Sequence, residues 1–507
     1  YCVLLRQLKL RQTPVEDLSV VSSFPGLTIL DAGNTDVSNL EAIEELTSLV
    51  DLRINHTRIK NLNSVSGLVK LEMLNVSSTA VEELTPLRRM SELKVLQFDS
   101  TMISSLVPLD SLSQLQKIYA NHTRIDRKQA LLFLMKHPSV SLVYASATLE
   151  QWWKNMGPEW QSMFSFFMTV NNPPTTEQLH RLILLDSINI TGRTSINSLE
   201  PLRQLILLRS LHMASSGITT LEPISELSEI RVAVLNNTKV ADLEPLKNCS
   251  RLELLVIDNT GVTNLAPLYG MKELKLVYAD NSGIGDSQAE QFLQKNPGSL
   301  LIYQTIENTD WWAGLSPAWR EVMQAQLEGS GEPDKIHLQK MANLEKVNIN
   351  ENFQITSLQP LTHLTYLTEL QFSGTRVASL DPISRMNRLR VLRLQKNPVT
   401  SLGPVSGLRA LRELDFSNTQ VEDLDALQDM IQLEILKFNG TQVKNLKYLQ
   451  KLVNIKVIEF FNTRVTNIDV LDGMPKLETV KIFNTKVSSK RVDKLRASHP
   501  RCEIVYY

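Results

Sequence analysis

One recurrence constrains this chain more than anything else in it. An aliphatic residue returns every 22 positions, from Leu8 through Leu30, Leu52, Leu74 and Leu96 to Ile118. The phase resumes at Ile188, takes one step of 23 to Leu211, and continues through Ala233 and Leu255 to Val277. It resumes again at Val347, steps 23 to Leu370, and runs through Leu392, Leu414, Leu436 and Ile458 to Val480. A length of 507 residues would otherwise suggest three or four independent globular domains. Eighteen units in fixed phase replace that expectation with a linear array, because each unit needs only its neighbours to bury its apolar face.

Within a unit the shared pattern is LxxLxLxxTxV, as in Leu49-Val50-Asp51-Leu52-Arg53-Ile54-Asn55-His56-Thr57-Arg58-Ile59. The alternation around the central leucine reads as a short strand whose second and third aliphatic positions point inward. Successive strands then stack about 4.8 Å apart as a parallel sheet. The return leg carries apolar residues three apart and often a proline: Pro86, Pro108, Pro201, Pro223, Pro245, Pro267, Pro360, Pro382 and Pro404. The fixed φ of proline suits the first position of a helical turn, where its missing N–H costs nothing. Each leg is too short for a long helix, so 3₁₀ turns are expected.

These residues resemble the leucine-rich repeat family in its short, 22-residue class, which includes bacterial internalins and a eukaryotic regulatory subunit of protein phosphatase one. The resemblance implies an α/β solenoid, a horseshoe or superhelix with parallel strands on its concave face and 3₁₀ turns on its convex face. The family usually places Asn at the ladder position after the strand. Here that place is mostly Thr, as at Thr35, Thr57, Thr79, Thr101, Thr238, Thr260, Thr419 and Thr441. A hydroxyl both donates and accepts, so a threonine ladder can do similar work.

A longer period lies over the short one. Trp152 and Trp311, Trp160 and Trp319, and Pro201 and Pro360 are each 159 residues apart, which marks a duplicated block. The implied division is array 1 at 1–147, a helical Trp insert at 148–175, array 2 at 176–305, a second insert at 306–333, and array 3 at 334–507. Near the end of each array, residues 127–137, 288–296 and 491–499 have the spacing of a true α-helix, followed by a strand such as Ser141 to Tyr144.

In the first insert Trp153, Met156, Trp160, Met163 and Phe167 recur at three or four residues. Gly157-Pro158, like Ser316-Pro317 in the second, breaks the pattern into two short helices. Tryptophan pairs invite a ligand-stacking role, yet large apolar side chains also cover the open end of a solenoid, and the covering role is favoured for Trp153, Trp160, Trp312 and Trp319. Asn171 to Pro174 and Gly329 to Pro333 read as loops.

The chain carries no sign of catalysis. It has no glycine-rich phosphate loop, no nucleophile elbow and no zinc or calcium signature. His56 and His122 occupy equivalent positions three units apart, roughly 14 Å by strand spacing, too far to share a metal. No catalytic residue, cofactor or metal is expected. Lys and Arg number 53 against 54 Asp and Glu, which leaves no basic footprint for nucleic acid. No apolar run is long enough to span a membrane, and residues 1–20 lack signal-peptide zones. Cys249 takes a core place in its return leg. Asn55, Asn75, Asn121 and Asn236 form N-x-S/T sequons on the strand face, which an endoplasmic reticulum would glycosylate. The expectation is therefore a bacterial chain, exported or cytoplasmic.

Binding is expected on the concave face, one residue before, one after and three after each anchor. In array 1 these places are mostly polar, for example Asp51, Arg53 and Asn55. In array 2 they include Val232, Val234, Leu254, Val256, Leu276 and Tyr278, an apolar patch flanked by Asn236, Asp258 and Asp280. Aromatic residues also gather toward array ends, at Tyr119, Tyr278, Phe461 and Phe483. Array 3 mixes Arg393, Lys437 and Lys481 with Glu413, Asp415 and Glu459, which suits a selective polar contact. The function expected is a non-enzymatic scaffold for a protein partner. The alternatives are a bacterial surface protein holding a glycan or host component, and a structural subunit of a larger assembly.

Overall fold

All eighteen anchors fall at the centre of three-residue strands, and the strands pair in parallel with the sequence step as their register, 22 residues except for 23 at Ile188–Leu211 and Val347–Leu370. The computed structural model describes residues 4–327 and 331–506. Cys2 and the Gly329-Ser330 part of the second expected loop lie outside them. The chain divides into two compact units, 1–299 and 300–507.

In the first unit, strands Gln7–Lys9, Ile29–Asp31, Asp51–Arg53, Met73–Asn75, Val95–Gln97, Lys117–Tyr119 and Ser141–Val143 form one sheet in chain order. A second parallel ladder runs through Ser187–Asn189, Ser210–His212, Val232–Val234, Leu254–Val256 and Leu276–Tyr278. Helix α1 (Arg127–Lys136) precedes the last strand of the first sheet, helices α2 (Ser146–Asn155), α3 (Pro158–Phe167) and α4 (Thr176–Leu182) come between the two ladders, and α5 (Asp286–Lys295) follows the second. In the second unit, strand Leu300–Ile302 leads to α6 (Thr305–Ala313), α7 (Pro317–Ala325) and α8 (Lys335–Ala342). Eight parallel strands follow, from Lys346–Asn348 to Glu503–Val505, with α9 (Ser489–Ser498) before the last.

The reason for this architecture is local in each unit. The anchor and the residue two beyond it, such as Leu52 with Ile54 or Leu74 with Val76, are fully buried, while the residues flanking the anchor are half-exposed. Replacing one such leucine by alanine costs about 2–5 kcal/mol. In the second unit the same column holds Phe416, Phe438 and Phe460, whose rings stack at 5.6 and 5.3 Å. The return legs are 3₁₀ turns of three to five residues, and all nine prolines named above sit in the first positions of these turns.

Four residues past every anchor the backbone turns through positive φ, as at Asn34 (54°), Ser78 (56°) and Asn418 (56°). His56 and His122 occupy this place with φ of 52° each, so they are turn residues, of the few types that tolerate the left-handed region without glycine. The next residue is the ladder threonine. Its hydroxyl donates to the carbonyl three residues back, 2.7 Å from Thr57 to Ile54 and 2.7 Å from Thr79 to Val76.

The inserts form helix pairs, and Pro158 opens α3 as Pro317 opens α7. Trp153, Trp160, Trp312 and Trp319 are buried. The indole N–H of Trp160 donates to the Ser198 carbonyl at 3.0 Å, and that of Trp319 to Ser357 at 3.2 Å. One position departs from the expected stripe. Phe167 is the last residue of α3 and stays 38% exposed, while the buried place one turn beyond Trp160 goes to Phe164, whose ring lies 5.6 Å from the indole.

Helices α4 and α8 were not expected from the repeat pattern. Thr175 caps α4 by accepting the Gln178 N–H, and Gln178 accepts the Thr175 N–H in return. Helix α4 packs on strand Ser141–Val143 and on α2. Buried His180 fastens it, with Nδ1 donating to the Thr176 carbonyl at 2.7 Å and Nε2 lying 2.7 Å from the Tyr144 carbonyl oxygen and 2.9 Å from the Tyr144 backbone nitrogen.

Candidate functional site

Alternation along each strand sends the residues on either side of a buried anchor to the open face of the sheet. In the second ladder of the first unit, strict register sorts them into rows. Val232, Leu254 and Leu276 are lateral neighbours, and so are Val234, Val256 and Tyr278. The six side chains therefore make one patch of two rows across three strands, and all six are half-buried. At one edge of the patch the rows continue into Ser210 and His212, which hydrogen-bond each other at 2.9 Å. Along one side Arg231 pairs with Glu253 at 3.1 Å. Along the other, Asp258 accepts the backbone N–H of Asp280 at 2.8 Å. The arrangement offers apolar area within a polar frame.

The remaining aromatic candidates belong to other ladders. Tyr119 sits on the first ladder, where its hydroxyl donates to Glu177 of α4 at 3.1 Å. Burial and that neighbouring carboxylate push the Tyr119 pKa up, while the helix N-terminal amide of Glu177 itself, aided by Tyr119, holds the Glu177 carboxyl low. Phe461 and Phe483 belong to the second unit and stack at 4.2 Å with planes 11° apart.

The charged residues of array 3 largely neutralise one another. Glu369 bridges Lys346 at 3.1 Å and Arg393 at 3.4 Å, and Arg393 also meets Glu413 at 2.6 Å. Glu459 lies between Lys437 at 3.3 Å and Lys481 at 3.2 Å. This face presents a pattern of paired charges and no field of one sign. Among the described residues no group of three or more His, Cys, Asp or Glu is placed to hold a metal, and no helix is long and apolar enough to cross a membrane.

A family model described as leucine rich repeats (2 copies) matches residues 387–429, which span two of the units above. The chain is a leucine-rich repeat protein. No curated protein matches it in sequence at a significant level. Among solved structures, the internalin InlF of Listeria monocytogenes aligns with 91% of this chain and 88% of its own, at 15% identity and a TM-score of 0.28. A leucine-rich repeat protein of Leptospira interrogans aligns with 97% and 99%, at 16% identity and a TM-score of 0.31. The plant peptide hormone receptor RGFR1, solved in complex with RGF2, aligns with 100% and 88%, at 15% identity and a TM-score of 0.28. The leucine-rich repeat assignment rests on the ladder and the matched segment, and these likenesses add nothing about partners.

Two features of this repeat protein escaped the sequence pattern. The first is the clasp of Tyr119 by α4, signalled only by the Thr175-x-x-Gln178 capping box. The second is that His363 stacks on Trp311, their ring centroids 4.9 Å apart. These two residues are 52 apart in the chain, and no spacing rule joins them.

Proposed function

We propose that this leucine-rich repeat protein is a non-enzymatic scaffold whose protein partner docks on Val232, Val234, Leu254, Val256, Leu276 and Tyr278. Repeat solenoids generally serve as binding scaffolds. The observation that carries the reading is the six-residue apolar patch, contiguous across three strands and half-exposed on the open face. Burying it is worth about 25 cal/mol per Å² of apolar area, and the polar frame supplies orientation. Tyr119, Phe461 and Phe483 are proposed as secondary contacts at the ends of arrays 1 and 3, in the division 1–147, 148–175, 176–305, 306–333 and 334–507. A glycan role for Trp153, Trp160, Trp312 and Trp319 finds no support, because these indoles face the interior.

The test is affinity capture of the full chain from its source cells with identification by mass spectrometry, repeated with Val256→Asp and Tyr278→Asp. A partner lost by both variants supports the patch. A partner retained by both refutes it.

A further inference from the structure

The two inserts are duplicates, and they hold one tryptophan in the same way. The indole N–H of Trp152 donates to the Pro201 carbonyl at 3.0 Å, and that of Trp311 to the Pro360 carbonyl at 2.9 Å. In the second insert a ring lies flat on that indole. The His363 imidazole stacks 4.9 Å from Trp311 with the planes 13° apart. Its Nε2 donates to Asn308 at 2.6 Å, and Asn308 donates to Gln339 at 3.1 Å. Burial pushes the His363 pKa down, which keeps the stacked ring neutral.

In the first insert the places of His363, Asn308 and Gln339 are taken by Gln204, Leu149 and His180. His180 is turned instead to Thr176 and Tyr144. The Phe164 ring lies 5.7 Å from Trp152, inclined at 58°. Trp152 and Gln204 line a groove of about 790 Å³, together with Gln151, Asn155, Asn197 and Glu200.

We propose that this groove binds a short neutral saccharide, with one sugar ring lying on Trp152 where the duplicate carries an imidazole. The volume falls within the range of small-molecule sites, roughly 300–1,000 Å³. An indole face suits the C–H side of a sugar ring. Side-chain amides offer donors and acceptors together, which match hydroxyls that do both. Two carboxylates line the groove, Glu159 and Glu200, and Glu200 is paired with Arg203 at 2.7 Å, so the charge left over is acidic and the rim favours an uncharged ligand over an anionic one. An aromatic side chain from a protein would cover Trp152 but leave the amides facing no polar group.

The test titrates the full chain with maltotetraose, cellotetraose and tetra-N-acetylchitotetraose, each to about 10 mM, following tryptophan fluorescence and heat of binding. N-acetyltyrosinamide serves as the aromatic probe. The expected result is one-to-one binding of at least one tetrasaccharide. Gln204→His combined with Leu149→Asn should reproduce the closed duplicate and weaken that binding at least about tenfold with unchanged circular dichroism. In the converse direction, His363→Gln combined with Asn308→Leu should add a second site. Absence of binding by every tetrasaccharide would overturn the proposal, as would unchanged affinity in the folded Gln204→His, Leu149→Asn variant or binding of N-acetyltyrosinamide alone.

Discussion

Asn397 accepts the backbone N–H of Thr375 at 3.0 Å and its hydroxyl at 2.7 Å, so a single amide joins two successive units. Its Nδ2 also donates to the carbonyls of Phe372 at 2.7 Å and Leu394 at 3.0 Å. The ladder threonines work differently. Thr419, for instance, donates only within its own unit, to Phe416 at 2.7 Å. Asn397→Ala therefore strands several buried groups and should cost about 2–3 kcal/mol, whereas Thr419→Ala should cost about 1 kcal/mol. Urea unfolding of both variants checks this ranking, and equal losses would contradict it.

The insert tryptophans should behave as core residues. Trp160 is 5% exposed, and Trp160→Ala is expected to lose about 3–5 kcal/mol. A variant with wild-type thermal stability would show that the indole does not carry the packing of α3.

Cys249 lies fully buried with its thiol directed to the Leu227 carbonyl at 3.4 Å. Burial pushes its pKa up to about 12. The thiolate is the reactive form, so iodoacetamide at about pH 8 should leave Cys249 unlabelled in the folded chain and label it in denaturant. Peptide mass spectrometry reads the outcome directly, and rapid native labelling would count against the packing described.

Glu459 couples the array 3 ladder to pH. Burial pushes its carboxyl up, but the hydrogen bond from Lys481 and the charge of Lys437 outweigh that and hold it below the usual value. A carboxylate with a depressed folded-state pKa stabilises the fold above its unfolded value, near 4.3, and that contribution is lost as pH falls through the lower folded value. Replacing both partners, Lys437→Met with Lys481→Met, leaves a mostly buried carboxylate without its cations and should move acid unfolding to higher pH. Circular dichroism between about pH 7 and pH 2 measures the midpoint, and an unmoved midpoint would contradict the pairing.

On the open face, Val256→Asp or Tyr278→Asp should weaken the captured partner by about 100-fold or more while preserving the fold, since both side chains project away from the core. Asp51→Ala in array 1 should change affinity less than about threefold, because Asp51 bonds chiefly to Arg53 at 2.8 Å. Comparable losses in all three variants would point to a partner that spans both ladders.

The 22-residue phase by itself determined the ladder, because burial repeated at a fixed interval admits one register, and a slip would send Leu52 and its equivalents to solvent. The proline-led turns, the terminal helices and the apolar rows around Val256 were legible for the same reason, since each depends on residues within one unit or at the same place in the next. Only the tertiary structure decided what lies between residues far apart in the chain. Tyr119 meets Glu177 because α4 docks on strand Ser141–Val143, the neighbour of the strand that carries Tyr119. His363 covers Trp311 because Asn308 holds the imidazole from another helix. Phe164 rather than Phe167 fills the space beside Trp160 because α3 ends at Phe167. Such contacts depend on how an insert closes on the repeats beside it, and a periodic pattern carries information only about what recurs.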